Sequence, residues 1–206
     1  MKFKNIIFDL DGTLVDSAVI TMTAFRRIAP DFGLDAPDLP RLRTCIGYAN
    51  PEFYYRVYPE QDSETVQRLG AMVERLELEL LDGFNEDLLF PGCGELLNRF
   101  ERLGTSMYIA STGSNEHVTP ILHKTKITRY FKRVLCGEPD KSEMVRKIIE
   151  NGDNSTFVMV GDMEKDSQAA HDNGIFSIGA CYGYCVRGQK GFDNYINTPT
   201  ELLKFL

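Results

Sequence analysis

Short strand-like segments recur along this chain at Asn5–Phe8, Ser106–Ala110, Arg133–Cys136, Thr156–Val160 and Phe176–Gly179. Helical patterns separate the later ones. Gly94–Leu103 follows the turn Pro91-Gly92, and Glu116–Thr125 follows Ser114-Asn115. Ser142–Glu150 ends at Asn151-Gly152, and Lys165–Asp172 ends at Asn173-Gly174, a helix-stop pair. Four of the five strand-like segments are mostly apolar, as a parallel sheet covered on both faces requires; the one at Arg133 is more polar. Strands alternating with helices in this way predict an α/β fold with a doubly wound parallel sheet. From about Ser17 to Leu89 the rhythm breaks. That stretch is helical in character, and its clearest helix repeats Val66, Leu69, Val73, Leu76 and Leu80 behind the capping residues Asp62 and Ser63. The expected organisation is therefore an α/β core of residues 1–16 and 90–206, with a helical insertion over 17–89.

At 206 residues the chain holds one sizeable domain, or one carrying such an insertion. Its net charge of −7, with no Lys/Arg cluster, argues against a nucleic-acid surface. An anionic ligand gains little from that overall field, so any anion site has to be locally positive. The apolar runs are far shorter than the 18 or so residues of a membrane span. With no secretory pattern after Met1, a cytoplasmic location is expected. Cys45, Cys93, Cys136, Cys181 and Cys185 are scattered and form no CxxC, so reduced thiols are expected rather than disulfides or a zinc site.

In an open α/β sheet the reactive crevice lies beyond the carboxyl ends of the strands. The residues just past each strand are therefore informative. The first strand runs into Asp9-Leu10-Asp11-Gly12-Thr13, the second into Ser111-Thr112-Gly113-Ser114. The third leads to Glu138-Pro139-Asp140-Lys141 and the fourth to Gly161-Asp162-Met163-Glu164-Lys165-Asp166. One sheet edge would thus gather four aspartates, a hydroxyl and a lysine. Crowded carboxylates raise one another's pKa and stay ionised only beside positive charge. A divalent cation supplies it, and all-oxygen ligation is what Mg²⁺ prefers.

These residues resemble the four motifs of the haloacid dehalogenase superfamily, and the resemblance covers the whole chain. It implies a Rossmann-like core, with the insertion as a helical cap of the first type. Pro91-Gly92 marks the return to the core. Ser111 lies twenty residues further on, where phosphoglycolate-phosphatase-like members carry their motif hydroxyl. The stretch from Asn173 to Tyr184 is similar to the tail of such phosphatases. Carried over, the family implies that Asp9 is the nucleophile and Asp11 the general acid and base. Mg²⁺ would be held by Asp9, Asp162, the backbone carbonyl of Asp11 and, directly or through water, Asp166. Ser111, Thr112 and the following helix N-terminus would bind the phosphoryl group, and a lysine would neutralise it. Lys141 is favoured for that lysine, 21 residues before Asp162, with Lys165 as the alternative. Asp11 points to phosphate esters, since branches that cleave carbon–halogen or carbon–phosphorus bonds typically lack it.

The implied activity is a phosphatase acting on a small phosphomonoester. Phosphoglycolate is suggested first; nucleoside monophosphates and sugar phosphates come next. A phosphomutase of the β-phosphoglucomutase type and a low-turnover regulatory binder are the rivals. Within the insertion, Arg43 is either a ligand for a substrate anion or a surface charge. Phe53-Tyr54-Tyr55 is expected to pack the insertion's core. Asp16 and Ser17 are expected to cap its first helix. His117 and His123 are expected to be solvated, and His171 structural.

Overall fold

The computed structural model describes residues 3–84, 87–150, 152–184 and 191–205; Asn151 and Cys185 lie outside the described residues. Strand β1 (Asn5–Phe8) is followed by four helices, α1 (Ala18–Ile28), α2 (Leu39–Cys45), α3 (Glu52–Val57) and α4 (Ser63–Gly83). The chain then alternates through α5 (Cys93–Arg102), β2 (Ser106–Ser111), α6 (Asn115–Thr125), β3 (Phe131–Cys136), α7 (Lys141–Ile149), β4 (Phe157–Gly161), α8 (Glu164–Asp172), β5 (Phe176–Ala180) and β6 (Asn194–Ile196). The strands form one sheet in the order β3-β2-β1-β4-β5-β6, every neighbouring pair parallel. Five of them match the sequence-based segments within a residue or two. β6 was not expected; three residues at the sheet edge leave little periodicity to read.

Alternation along β1 separates the two faces. Ile6 and Phe8 pack with Leu96 and Phe100 of α5 and Val118 and Ile121 of α6. Ile7 packs on the other side with Met144 and Val145 of α7 and Ala169 of α8. Crossovers from β1 run one way and those from β4 the other, so the crevice opens beyond the carboxyl ends of these two neighbouring strands.

The helical insertion leaves and rejoins the core through paired connections. Asp16 N–H donates to the Leu88 carbonyl at 2.9 Å and Phe90 N–H to the Leu14 carbonyl at 3.0 Å, around an antiparallel bridge between Val15 and Leu89. Its longest helix, α4, is capped as its sequence requires, with the Asp62 carboxylate accepting the Thr65 N–H at 2.8 Å. Phe53 and Tyr54 pack on Phe25, each with ring centroids 6.1 Å apart, as expected of the insertion's core. Ser17 does stand at the head of α1, but its side chain makes no capping bond. No helix among the described residues is long and apolar enough to cross a membrane.

Candidate active site

Asp9 continues the sheet register one residue past β1, its N–H donating to the Val160 carbonyl at 2.9 Å. It is therefore rigidly placed. Its carboxylate Oδ1 accepts the Leu10 N–H at 2.8 Å and lies 2.9 Å from Lys141 Nζ. The chain then turns at Gly12, with φ of +80°, where an added Cβ would run into the Asp162 carboxylate and the Tyr184 ring. Only glycine satisfies both the backbone and the space there.

Neighbouring β4 ends at Gly161 and delivers Asp162, which is fully buried. The Thr13 hydroxyl donates to Asp162 Oδ1 at 3.1 Å. The second oxygen, Oδ2, is buried with no hydrogen-bond partner. Asp166, on the first turn of α8, accepts the Met163 N–H at 2.9 Å through Oδ2 and a Lys141 Nζ–H at 2.6 Å through Oδ1. Lys141 opens α7, behind the capping carboxylate of Asp140. The loop after β3 thus sends its lysine into the acid cluster. Lys165 instead lies over the Tyr48 ring, 4.1 Å from its centroid.

Asp9, Asp162 and Asp166 each offer an oxygen within 4.8 Å of the others. Burial, reinforced by Asp166, raises the Asp9 pKa from 3.8 to about 7 despite Lys141. Burial also raises Asp162 well above the usual range, helped by Asp9 and Asp166. Burial acts to lower the Lys141 pKa, yet the Asp166 and Asp9 carboxylates outweigh it and the ammonium is held more firmly than usual. One lysine against three buried carboxylates leaves negative charge unbalanced. That imbalance, together with the orphaned oxygen of Asp162, fits a small hard cation bound by carboxylate oxygens.

Asp11 faces elsewhere. Its carboxylate lies 3.0 Å from His117 Nε2, on the first turn of α6. Burial works to raise its pKa, but His117 and the Ser17 hydroxyl hold it below the usual value. Burial likewise opposes protonation of His117, yet Asp11 and then Glu77 lift it to about 9. The expectation that His117 is solvated is thus corrected: the first turn of the helix after β2 faces the crevice, and His117 projects from it. His123 is exposed. His171 lies near the surface, its Nε2 3.3 Å from both Asp193 and Ser177.

Ser111 is buried at the end of β2, its Oγ accepting the Gly113 N–H at 3.1 Å. The Thr112 hydroxyl donates to the Gly47 carbonyl of the insertion at 2.9 Å. Asp9, Asp11 and Ser111 share one cavity of about 150 Å³, closed on the far side by insertion residues that include Gly47, Tyr54 and Glu77. Arg43 does not reach that cavity. It pairs with Asp16 at 2.7 Å and lies over the Tyr184 ring, so the anion contact considered for it is not made in this arrangement. Asp16 also accepts the Tyr184 hydroxyl at 2.9 Å, and Tyr182 donates to the Thr13 carbonyl at 2.9 Å. The tail after β5 therefore clamps the loop that carries Asp9 and Asp11. The sequence does not single out Glu74 or Glu77, nor does it show that the tail packs on this loop; these places depend on contacts between distant segments.

Fold and site together define an α/β enzyme with its chemistry at the carboxyl ends of parallel strands. The family model for haloacid dehalogenase-like hydrolases matches residues 6–180, and the chain belongs to that family. It is 27% identical over 191 residues to a 5′-nucleotidase of Pseudomonas aeruginosa, covering 89% of this chain and 85% of that one. It is 26% identical over 209 residues to a phosphoglycolate phosphatase of Synechococcus elongatus, covering 97% and 95%. A crystal structure described as a predicted phosphoglycolate phosphatase from Haemophilus somnus 129pt superposes with a TM-score of 0.87 at 23% identity, over 99% of this chain and 98% of the other.

Proposed function

We propose that this hydrolase is a Mg²⁺-dependent phosphatase that cleaves a small phosphomonoester through an aspartyl-phosphate on Asp9. The observation that carries the reading is the shared cavity of Asp9, Asp11 and Ser111, with Lys141, Asp162 and Asp166 backing Asp9. Asp9, Asp162 and Asp166, with the Asp11 carbonyl, would hold Mg²⁺, which when bound supplies positive charge to the acid cluster and to the phosphate.

Lys141 and the Leu10 N–H fix the Asp9 carboxylate for attack on phosphorus; a carboxylate–phosphorus bond forms as the ester oxygen departs. Asp11, ionised beside His117, relays the imidazolium proton to that oxygen and then returns to His117 the proton it takes from the water that hydrolyses the acyl phosphate. His117 orients it for both steps. Ser111 and the amides after it bind the phosphoryl oxygens. Residues 17–89 act as a cap whose closure excludes water, the Thr112–Gly47 bond being one contact that opening has to break. A cavity of about 150 Å³, below the roughly 300–1,000 Å³ of drug-sized sites, supports a small substrate. The names of the relatives add phosphoglycolate and nucleoside monophosphates as candidates.

Phosphate release from an aryl phosphate, with and without Mg²⁺, tests the reading against Asp9→Asn and Asp11→Asn. Turnover that needs Mg²⁺ and is lost in Asp9→Asn is expected. Unchanged turnover in Asp9→Asn would refute it, and a requirement for a bisphosphate activator would turn the reading toward a mutase.

A further inference from the structure

The phosphoryl chemistry of Asp9, Asp11 and Ser111 leaves part of the cavity wall without a task. Opposite Asp11, α4 presents Glu74 and Glu77, three residues apart and so on one helix face. Both are built in. Glu77 has its side chain 13% exposed, accepts the Thr21 hydroxyl and lies 4.0 Å from His117 Nδ1. Glu74 is half-buried and accepts the Asn50 amide at 2.5 Å, beside Tyr54, whose hydroxyl donates to the Gly70 carbonyl at 3.2 Å. Among the described residues that line the cavity there is no lysine or arginine. Arg43 is engaged by Asp16, and Lys141 stands behind Asp9. His117 is the one side chain there able to carry positive charge, and it faces Asp11, Glu77 and Glu74 together. Burial raises the pKa of both glutamates, yet three carboxyl groups, of Asp11, Glu74 and Glu77, face a single imidazole at this end of the cavity. Its uncharged polar side chains include the hydroxyls of Thr21, Tyr48 and Tyr54 and the amide of Asn50.

We infer that the cavity selects phosphomonoesters whose leaving group bears hydrogen-bond donors, hydroxyl or ammonium, and no anionic group, with Glu74 and Glu77 making the selection. The inference rests on the phosphatase reading and gives it a substrate class. A leaving group with its own carboxylate, as in phosphoglycolate, would be pressed against two carboxylates in a mostly buried cleft. At an effective dielectric of about 20, like charges some 5–6 Å apart disfavour binding on the order of 100-fold. A hydroxyl or ammonium in the same place donates to the glutamates instead.

Three substrates of nearly equal size separate the cases: phosphoglycolate, 2-hydroxyethyl phosphate and 2-aminoethyl phosphate, with an aryl phosphate as reference. Measured with Mg²⁺, kcat/KM for the better of the two donor-bearing esters should exceed that for phosphoglycolate at least about tenfold. Glu74→Gln and Glu77→Gln should each narrow that ratio several-fold. A preference for ammonium should suffer more from the loss of charge than one for hydroxyl, which separates the two donors. Should a variant fail to fold, the wild-type ranking still decides. Hydrolysis of the aryl phosphate with phosphoglycolate equal or preferred would overturn the inference alone, as would a ratio unmoved in both folded variants. No hydrolysis of any of the four would remove the phosphatase reading and the inference with it.

Discussion

Lys141→Met removes the one ammonium that touches the acid cluster among the described residues. In the wild type, Nζ stands 2.9 Å from Asp9 Oδ1 and 2.6 Å from Asp166 Oδ1, with all three side chains 0–3% exposed. Methionine fills similar space but leaves three carboxylates within 4.8 Å of one another and no cation among them. Breaking a buried pair by removing one partner costs about 3–5 kcal/mol. For a chain of this size that is a fall in Tm of roughly 6–20 °C, at about 2–4 °C per kcal/mol. The assay is thermal unfolding at pH 7.5 in chelator, so that no metal compensates the charge. Two controls sharpen it. At pH 5 the loss should shrink, because a carboxylate with a pKa already raised to about 7 takes up a proton. In Lys141→Met/Asp166→Asn part of the stability should return, with a coupling of about 0.5–3 kcal/mol. A loss below about 1 kcal/mol in the single variant, or strict additivity in the double, would refute this charge balance.

Metal-free wild type should lose stability as pH rises from about 4 to about 7. Asp9 binds its proton more tightly folded than unfolded, and a shift from 3.8 to about 7 corresponds to about 4 kcal/mol; urea unfolding in chelator across that window checks the sign, which saturating Mg²⁺ should reverse or flatten. His117, raised to about 9, contributes stability that is complete below its ordinary pKa near 6.5 and is lost through about 9, so the stability gap between wild type and His117→Gln should close above pH 9. Gly161→Ala places a methyl on the Asp166 carboxylate and should cost about 1–3 kcal/mol while weakening Mg²⁺ binding; calorimetric titration that finds wild-type affinity would contradict that. Tyr184→Phe strips the Ala18 N–H and Asp16 of their shared partner and should cost about 1–3 kcal/mol in chemical denaturation.

Much of this was legible because it is local. The apolar run into Asp9, the Gly12 turn and the spacing from Lys141 to Asp162 are properties of short segments, and the sheet brings them together with little further choice. Asp9, Ser111, Lys141, Asp162 and Asp166 accordingly stand where the strand ends put them. His117 was not legible. A histidine three residues past a helix cap has the same pattern whether it meets solvent or a facing carboxylate, and only the packing of α4 against α6 distinguishes them. Glu74 and Glu77 were hidden for the same reason, since a polar helix face reads alike toward water or toward a cleft. Arg43 shows the converse. Its type suits an anion, but Asp16 lies 27 residues earlier and takes it. β6 escaped because Asn194–Ile196 is too short for a period to show.

In the proposed reaction the phosphoryl group is bonded to Asp9 between its two steps, and borohydride trapping detects that bond. Enzyme mixed with an aryl phosphate and Mg²⁺, quenched during turnover and reduced, should yield homoserine at position 9 and at no other aspartate when its peptides are sequenced by mass spectrometry. Homoserine at another aspartate, or phosphate release at full rate with position 9 unlabelled, would contradict the account.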